Sequence, residues 1–510
     1  MRPYEKPSAY RRLWACLTLG IFILLVSIGI SRIIPDRAWD QFRSSLIIIT
    51  GLGVWRYSWL MTNTLRCYTY LLIVYPRLAR KRDRLPDAVK YPRRVYLLVP
   101  SYKESPYNTQ NAFTSFLEAA ENTPCEFVFL ASVASQEEAN LIQEIVDESP
   151  VQNKPTLLFT LQKNGKRLAM GHGLRVLQNF SNQNIHYDYG NDIVVLVDGD
   201  SCLEPDVFQK CLPYFKMNPK LGALTTDERA KVLTGSHFTT RWYELKFFKR
   251  HLNMSSHALS KRVLTLTGRG SMFRASLALN REFIELVESD HIYHWLFGDI
   301  RFLMGDDKST LYCTLKNEWE MLYVPDAMVW AMEDRDTPFF LLAIGLMRRW
   351  YGNMLRNNGR CIKMGPSKMP FFIWLAFVDQ RLSMWTTLVG PVSVLLLAIV
   401  HTPYNILFYI MWVLIVRGIQ LMLLVPLGLL VRIEDLFFQL IDQWLGSIVK
   451  VHSLFHLHLQ TWSKKGAKNI TNTHRTFLQT LYPKLALSVT GFVYILFVIF
   501  LSRALRLPTF

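Results

Sequence analysis

Long apolar runs lie near both ends of the chain, on either side of a more polar middle section. The first run follows Arg11 and Arg12 and lacks a small-residue cleavage site, so it indicates a membrane span rather than a signal peptide. Spans are predicted over residues 13–34, 46–75, 384–400, 404–431 and 485–501. The pattern therefore predicts about five spans, two before the middle section and three after it.

Two charged segments indicate how the chain is placed relative to the membrane. Residues 77–84 are strongly basic, which is typical of a cytoplasmic loop. Residues 436–459 carry Asp442, Lys450 and three histidines among apolar positions, which favours an amphipathic helix at the membrane interface over a span. We predict three regions: a membrane region with two spans (1–86), a cytoplasmic domain (87–358), and a membrane region with interfacial helices and about three spans (359–510).

Within the predicted cytoplasmic domain, short apolar runs alternate with helical patterns. Residues 95–99, 127–130 and 193–197 read as buried parallel strands, and residues 108–121 and 137–148 read as helices. This alternation predicts an α/β domain with a mostly parallel sheet. Ligands of such sheets bind at the carboxyl ends of the strands.

Composition agrees with one soluble domain joined to several spans, since 50% of the residues are hydrophobic and only 19% are charged. We assign most of the net charge of +18 to cytoplasmic loops, although an anionic ligand such as a nucleotide diphosphate or an acidic polymer is another source. The sequence has no basic stripe with interleaved aromatic residues, so we expect no nucleic-acid partner.

The seven cysteines are scattered, odd in number and never spaced as Cys-x-x-Cys. This pattern argues against a disulfide framework and against a zinc site. We therefore expect the soluble part to lie in a reducing cytoplasm.

A candidate metal site, Asp198-Gly199-Asp200, follows the run at 193–197. Two carboxylates separated by one small residue can face one divalent cation, and Mg²⁺ or Mn²⁺ prefers such oxygen ligands. A tight turn with two solvated aspartates is the other interpretation. The position at the end of a strand favours the metal site.

Two further motifs are candidates for transfer chemistry. Asp306 and Asp307 follow a glycine, and a carboxylate there can take the proton from an acceptor hydroxyl. Arg349 can clamp a phosphate bidentately, and Trp350 offers a flat apolar face to a sugar ring. A solvated acidic loop and an interfacial Arg/Trp belt are the respective alternatives.

In this order between membrane spans, the three motifs resemble those of the processive family 2 glycosyltransferases, which include cellulose, hyaluronan, chitin and alginate synthases. Further segments similar to family motifs lie at 100–104, 165–167, 267–271 and 324–327. The resemblance covers essentially the whole chain and implies a GT-A-type α/β domain inserted between transmembrane helices. Leu346 replaces the Gln that usually opens the Arg-Trp motif.

The resemblance also implies roles for single residues. It implies catalytic carboxylates at Asp307, the base, and Asp306, and metal-binding carboxylates at Asp198 and Asp200. It implies donor-binding residues at Ser101, Lys166, Arg167 and Arg349. It implies acceptor- or polymer-binding residues at Gly268, Arg269 and Trp350.

Within the family, the alginate synthase catalytic subunits are the most similar branch, on the strength of residues 251–267, 349–353 and 379–385. That resemblance implies GDP-mannuronic acid as donor, poly-β-1,4-mannuronate as the exported product, and the bacterial inner membrane as the location. The sequence shows no Arg-rich motif or β-barrel of a cyclic-di-GMP-binding domain, so we expect a partner subunit to carry one. At residues 100–104 the chain has the general family form of the motif and not the form of the alginate enzymes. This difference leaves open a related enzyme with another donor sugar.

The segment after the second strand bears on the donor base. Most uridine-using members of the family carry an aspartate there, whereas this chain has no carboxylate between 131 and 136. We therefore expect a GDP-sugar to be preferred over a UDP-sugar, and the sugar to be a uronic acid with Arg269 as a candidate carboxylate partner. In the alternative interpretation, Glu137 or Glu138 bends back to do the work of the aspartate.

Charged and polar residues also interrupt the apolar sequence after residue 370. Asp379, Gln380, Arg381 and Arg417 are costly in lipid, so we expect them to face water, each other or a polymer path. Other functions stay open: a cellulose- or hyaluronan-like synthase with a UDP-sugar donor, a transferase acting on a lipid carrier, or an inert translocation subunit. The presence of all the motif aspartates argues against the last.

Overall fold

The structure of the chain is a computed structural model that describes residues 7–162, 165–183, 191–295, 297–301, 303–400, 402–460 and 477–504. Side chains are described for these residues except 40–52, 88, 400, 478–480 and 500–504.

An eight-stranded, mostly parallel sheet forms the centre of the middle section, in the order β3-β2-β1-β4-β7-β6-β10-β5. The strands are β1 (Arg94–Pro100), β2 (Glu126–Val133), β3 (Thr156–Leu161), β4 (Ile193–Val197), β5 (Ser201–Leu203), β6 (Leu221–Thr234), β7 (Arg269–Arg274) and β10 (Glu320–Asp334). Strand β7 runs antiparallel to β4 and β6, and β5 runs antiparallel to β10. A hairpin of β8 (His291–His294) and β9 (Gly298–Arg301) lies outside this sheet.

The apolar runs form these strands because both of their faces are covered. Every residue of β4 is buried, and so are residues 95–99 of β1. The predicted helices begin one or two residues earlier than expected, at Pro106 and Gln136. They are capped by Ser105 and Ser135, whose side chains accept from the backbone N–H groups of Asn108 and Glu138. The α/β fold with a mostly parallel sheet is therefore as predicted.

Helices connect and flank the strands of this domain. They are α4 (Asp87–Lys90), α5 (Pro106–Glu121), α6 (Gln136–Glu148), α7 (Lys166–Asn182), α8 (Val207–Cys211), α9 (Pro213–Met217), α10 (His237–Ala258), α11 (Ala275–Ala278), α12 (Arg281–Ser289), α13 (Asp306–Lys316) and α14 (Phe339–Lys363). Helix α14 runs through the predicted boundary at residue 358, so it joins the domain directly to the following membrane region.

Long helices precede and follow the domain. They are α1 (Ala9–Ile33), α2 (Asp36–Thr69), α3 (Tyr75–Asp83), α15 (Phe371–Val400), α16 (Tyr404–Met422), α17 (Glu434–Leu454) and α18 (Phe477–Ala504). Among the described residues, four helical segments are long and apolar enough to cross a membrane: Ala9–Ile33, Phe371–Ile399, Tyr404–Leu427 and Leu481–Ile499. The predicted second span, residues 46–75, overlaps α2 and extends past its end at Thr69, and α2 is not among the four.

Two helices differ from their predicted extent. Helix α15 begins at Phe371, well before residue 384, and thereby includes Asp379, whose carboxylate pairs with Arg56 of α2 at 2.6 Å. Helix α16 ends at Met422, where a 3-10 turn containing Pro426 follows, because proline cannot supply the next helical N–H. Helix α17 covers most of the segment 436–459 that was predicted to be an interfacial helix, and it lies outside the four candidate spans. Its position at a membrane interface stays a prediction.

Helix α17 packs against α10 and α14 of the domain and against α15 and α16. A buried ion pair fixes its start, since Arg241 of α10 donates to both carboxylate oxygens of Asp435 at 2.7 and 2.5 Å. Helix α17 is therefore one of the elements that link the sheet domain to the candidate spans.

All seven cysteines are free thiols, and Cys202, Cys211, Cys313 and Cys361 are buried in the domain or at its edge. Burial raises the pKa of each of these four thiols. Buried thiols of raised pKa are poor nucleophiles, so these four side chains act as packing groups.

Candidate active site

The two acidic motifs meet at a single ammonium group. Asp198 follows β4, Asp306 begins α13, and Lys166 begins α7. The Lys166 Nζ lies 2.7 Å from Asp198 Oδ1 and 3.0 Å from Asp306 Oδ2. About a hundred residues of sequence separate the two aspartates, yet the fold brings both to the carboxyl edge of the sheet.

Two glycines permit the close approach of backbone at this point. The Asp198 N–H donates to the Gly268 carbonyl at 2.8 Å. A Cβ on Gly268 would lie 3.1 Å from both Asp198 Oδ1 and Lys166 Nζ, and a Cβ on Gly199 would lie 3.1 Å from Ser101 Oγ. A larger residue at either position would push apart the groups that the fold assembles here.

The neighbouring carboxylates of Asp306 and Asp307 have opposite electrostatic environments. Burial raises the pKa of Asp306, but the Lys166 ammonium outweighs it and the net shift is downward. Burial raises the pKa of Asp307 and prevails over the opposing Lys308 ammonium, which lies 3.6 Å away. Asp306 is thus kept ionised, while Asp307 is the better proton acceptor, which is the division of roles typical of acid–base sites.

Arg349 lies on α14 beside two further arginines. Burial and the positive charges of Arg269 and Arg335 lower the pKa of Arg349. Within the described chain its side chain makes no hydrogen bond or ion pair, whereas Arg269 pairs with Glu333 at 2.8 Å and with Glu228 at 3.6 Å. Arg349 is therefore the group in this cluster that is available to an incoming anion, and the charge of Arg269 is already matched.

The next residue, Trp350, stacks on Trp242 of α10 with ring centroids 5.7 Å apart. Helix α14 also touches the loop before α13, since a Cβ on Gly305 would lie 3.1 Å from the Asn353 side chain. The Arg-Trp motif and the paired aspartates therefore share one packed unit.

The remaining two predicted donor residues have protein partners. Arg167 is buried and donates to the Leu303 carbonyl at 2.5 Å, to Ser309 Oγ at 3.1 Å and to the Leu286 carbonyl. These contacts support the loop that carries Asp306, so they fit a positioning role. The hydroxyl of Ser101 donates to the Glu138 carboxylate. Both predicted roles remain predictions.

The Glu138 carboxylate lies between the ends of β1 and β2, where it also accepts from the Ala134 N–H at 3.1 Å. This is the place that the alternative interpretation of the sequence gave it. Lys308 is a second group that the motifs did not single out, and its ammonium donates to the Leu264 carbonyl at 2.9 Å. Its position directly after Asp307 was the only sequence signal for it.

Asp198 and Asp200 are the residues that could hold a divalent cation. Among the described residues there is no group of three or more His, Cys, Asp or Glu side chains arranged around one point. A Mg²⁺ or Mn²⁺ ion that binds with a nucleotide commonly takes one or two carboxylates and completes its shell with phosphate oxygens and water. The carboxylate of Asp200 makes no hydrogen bond within the described chain, so this pair fits such an ion.

The chain is similar to known glycosyltransferases. A family model described as "Glycosyltransferase like family 2" matches residues 92–353. Proteins named glycosyltransferase alg8 are similar to the chain: that of Pseudomonas syringae pv. tomato is 32% identical over 88% of this chain and 90% of its own length. That of Azotobacter vinelandii is 32% identical over 88% of this chain and 89% of its own.

Among solved structures, the chain is similar to a mannosyltransferase of Pyrobaculum calidifontis in complex with GDP-mannose and Mn²⁺. The identity is 15% and the TM-score 0.41, over 77% of this chain and 98% of that one.

Proposed function

Since the chain belongs to the family 2 glycosyltransferases, we propose that it extends a polysaccharide from a nucleotide sugar and passes the product across the membrane. The observation that carries the proposal is the meeting of Asp198, Lys166 and Asp306, with Asp307 beside them. This arrangement offers a site for a diphosphate and a base for an acceptor hydroxyl in one place.

In the proposed inverting reaction, the acceptor hydroxyl gives its proton to the Asp307 carboxylate as its oxygen attacks the anomeric carbon. The bond between that carbon and the diphosphate oxygen breaks on the opposite face, and the nucleoside diphosphate leaves. Burial, which raises the pKa of Asp307, makes it a stronger base than an ordinary aspartate.

The departing diphosphate needs compensating positive charge. Arg349 supplies a cationic side chain, and its lack of a hydrogen bond or ion pair within the described chain suits a bidentate clamp on phosphate. Lys166 adds a second cation, although its charge is matched by Asp198 and Asp306. Mg²⁺ or Mn²⁺ held by Asp198 and Asp200 would neutralise further charge on the leaving group.

The Glu138 carboxylate lies at the ends of β1 and β2, where the alternative interpretation of the sequence placed it, and it accepts from the Ser101 hydroxyl and the Ala134 N–H. A carboxylate there can accept from the single N–H of uracil or from the two adjacent N–H groups of guanine, so it does not choose between the two bases. The proposed donor is a GDP-sugar, and the support for it is the resemblance to the alginate synthases together with the relatives named alg8.

The proposed sugar is mannuronic acid, and the proposed product is poly-β-1,4-mannuronate. Support comes from the resemblance to the alginate synthases and from the relatives named alg8. The proposed location is the bacterial inner membrane with the catalytic domain in the cytoplasm, in accord with the basic segment at 77–84. A partner subunit that binds cyclic-di-GMP completes the proposal.

Inverted membrane vesicles that contain the full chain and its candidate partner test the whole proposal. They are given labelled GDP-mannuronic acid or labelled UDP-sugars, and the product is sized and located. The expected result is a long polymer from the GDP-sugar, inside the vesicles, with none from vesicles carrying Asp307→Asn. A lipid-linked monomer would indicate the carrier transferase instead, and product only outside would contradict export.

A further inference from the structure

A cluster of lysines lies between α10 and α17, away from the paired aspartates. Lys246 and Lys249 of α10 both approach Asp442 of α17, with N–O distances of 2.8 and 2.7 Å. Lys450 lies two helical turns further along α17. The proposed transfer reaction uses none of these charges.

Positive charge exceeds negative charge in this cluster. The carboxylate of Asp442 forms ion pairs with two lysines, and the nearby Asp379 is already paired with Arg56 at 2.6 Å. Within the described chain, Lys450 has no hydrogen bond and no ion pair. Burial lowers the pKa of Lys450 to about 8, and the positive charges of Lys246 and Arg56 act in the same direction. An unpaired ammonium in this setting is stabilised by an added anion.

An aromatic surface connects this ammonium to the Arg-Trp motif. The Lys450 Nζ lies 4.7 Å from the ring centroid of Tyr351, which directly follows Trp350. On α17, a Cβ on Gly446 would lie 3.2 Å from the Tyr351 hydroxyl, so glycine admits the ring at this point. Aromatic faces of this kind provide flat apolar surfaces against which sugar rings can pack.

We propose that Lys450, beside Tyr351, binds the carboxylate of an acidic sugar unit of the product as the chain leaves the catalytic centre. This inference rests on the proposed polymerising function and adds the residue that holds the acidic product. A neutral polymer would leave the ammonium with hydroxyl partners only, whereas a carboxylate forms the stronger, charge-assisted hydrogen bond.

Binding of a short fluorescent oligomannuronate to the purified full-length chain in nanodiscs tests the proposal without catalysis. The matched ligand is the same oligosaccharide with its carboxyl groups reduced to alcohols, so that only the charge differs. Wild type is expected to bind the acidic form about tenfold more tightly, the worth of one charge-assisted contact.

Three variants test whether Lys450 causes this preference for the acidic oligosaccharide. Lys450→Gln is expected to lose most of it while binding the neutral oligosaccharide as wild type does, and Lys450→Arg is expected to keep it. Lys363→Gln, which removes one exposed positive charge at the end of α14, is the control and is expected to keep it too. A preference that persists in Lys450→Gln, or is absent from wild type, overturns the proposal.

The Lys450 binding site and the polymerising function can be refuted separately. If the chain polymerises mannuronate but binds acidic and neutral oligosaccharides equally, the inference is wrong and the proposed function stands. If the Lys450-dependent preference is found but no polymer forms from any donor, the binding site is upheld and the polymerising function is wrong.

Discussion

Replacing Lys166 with glutamine should destabilise the catalytic domain in a way that a divalent cation repairs. The ammonium bridges Asp198 and Asp306 at 2.7 and 3.0 Å. Each contact is worth about 5 kcal/mol of attraction at an effective dielectric constant of roughly 20, before the cost of desolvation is counted. Removing one partner of a buried pair typically costs about 3–5 kcal/mol. Because these side chains retain 11–27% exposure, we expect the lower figure, about 3 kcal/mol.

Thermal melting of the purified full-length chain, followed by tryptophan fluorescence, measures this loss. About 3 kcal/mol corresponds to a melting temperature roughly 6–12 °C lower. Mn²⁺ or Mg²⁺ at about a hundred times its dissociation constant should restore about 2.7 kcal/mol, because the ion replaces the missing charge. The control is Lys316→Gln, which removes an exposed pair with Glu282 and should cost about 1 kcal/mol or less.

The pH dependence of the same variant gives an independent check. Although burial raises the pKa of Asp306, the Lys166 ammonium lowers it more, so the pair stabilises the fold above the ordinary aspartate range and this stability is lost as the pH falls. The difference in melting temperature between wild type and Lys166→Gln should therefore become smaller at acidic pH. If Lys166→Gln lowers the melting temperature no more than the control Lys316→Gln does, the proposed ammonium bridge between Asp198 and Asp306 is refuted. A lowered melting temperature that neither metal restores would refute the cation site.

Four further substitutions test the site. Asp307→Asn should lower the turnover number by about 10²–10⁴-fold with nucleotide binding intact, and near-normal turnover would remove Asp307 from the role of base. Asp200→Ala should abolish the metal dependence of donor binding, an expectation that fails if EDTA leaves wild-type binding unchanged. Arg349→Lys should reduce polymer synthesis by about tenfold or more, because a point charge cannot reproduce a planar clamp, and full synthesis would contradict that use of Arg349. Glu138→Gln should weaken GDP binding by about tenfold in competition assays, and tighter binding of UDP than of GDP to wild type would contradict the choice of donor.

The fold was largely predictable because its strands are buried on both faces. A short apolar run between turn residues, such as 193–197, is typical of a buried strand. The structure has a strand at each predicted position. The predicted family, and the assignment of the chain as a glycosyltransferase, are confirmed by the family match and by the alg8 relatives. The extent of α15 was less predictable because Asp379 and Arg381 look unfavourable in a long apolar helix until their partners in space are known.

The motifs named the candidate site residues one by one, but not the contacts between them. The motifs name Asp198 and Asp306, and nothing in their spacing shows that one ammonium bridges them. Glu138 was only an alternative, because whether its side chain returns to the strand ends depends on the start of α6. The contacts of Arg167 were equally out of reach, since the sequence places a basic residue beside a motif but does not show that its guanidinium donates to the Leu303 and Leu286 carbonyls.

The buried thiols of the domain also make the protein convenient for site-specific chemical labelling. Maleimide reagents need an accessible thiolate, and burial both hides Cys202, Cys211, Cys313 and Cys361 and raises their pKa. A cysteine introduced at an exposed site, such as Trp295 with 79% exposure in the outlying hairpin, should therefore react far faster than these four. Once Cys16 and Cys125, which are only partly buried, are replaced by serine, reagents that do not cross membranes would report from the introduced cysteine on which side of the bilayer the hairpin lies.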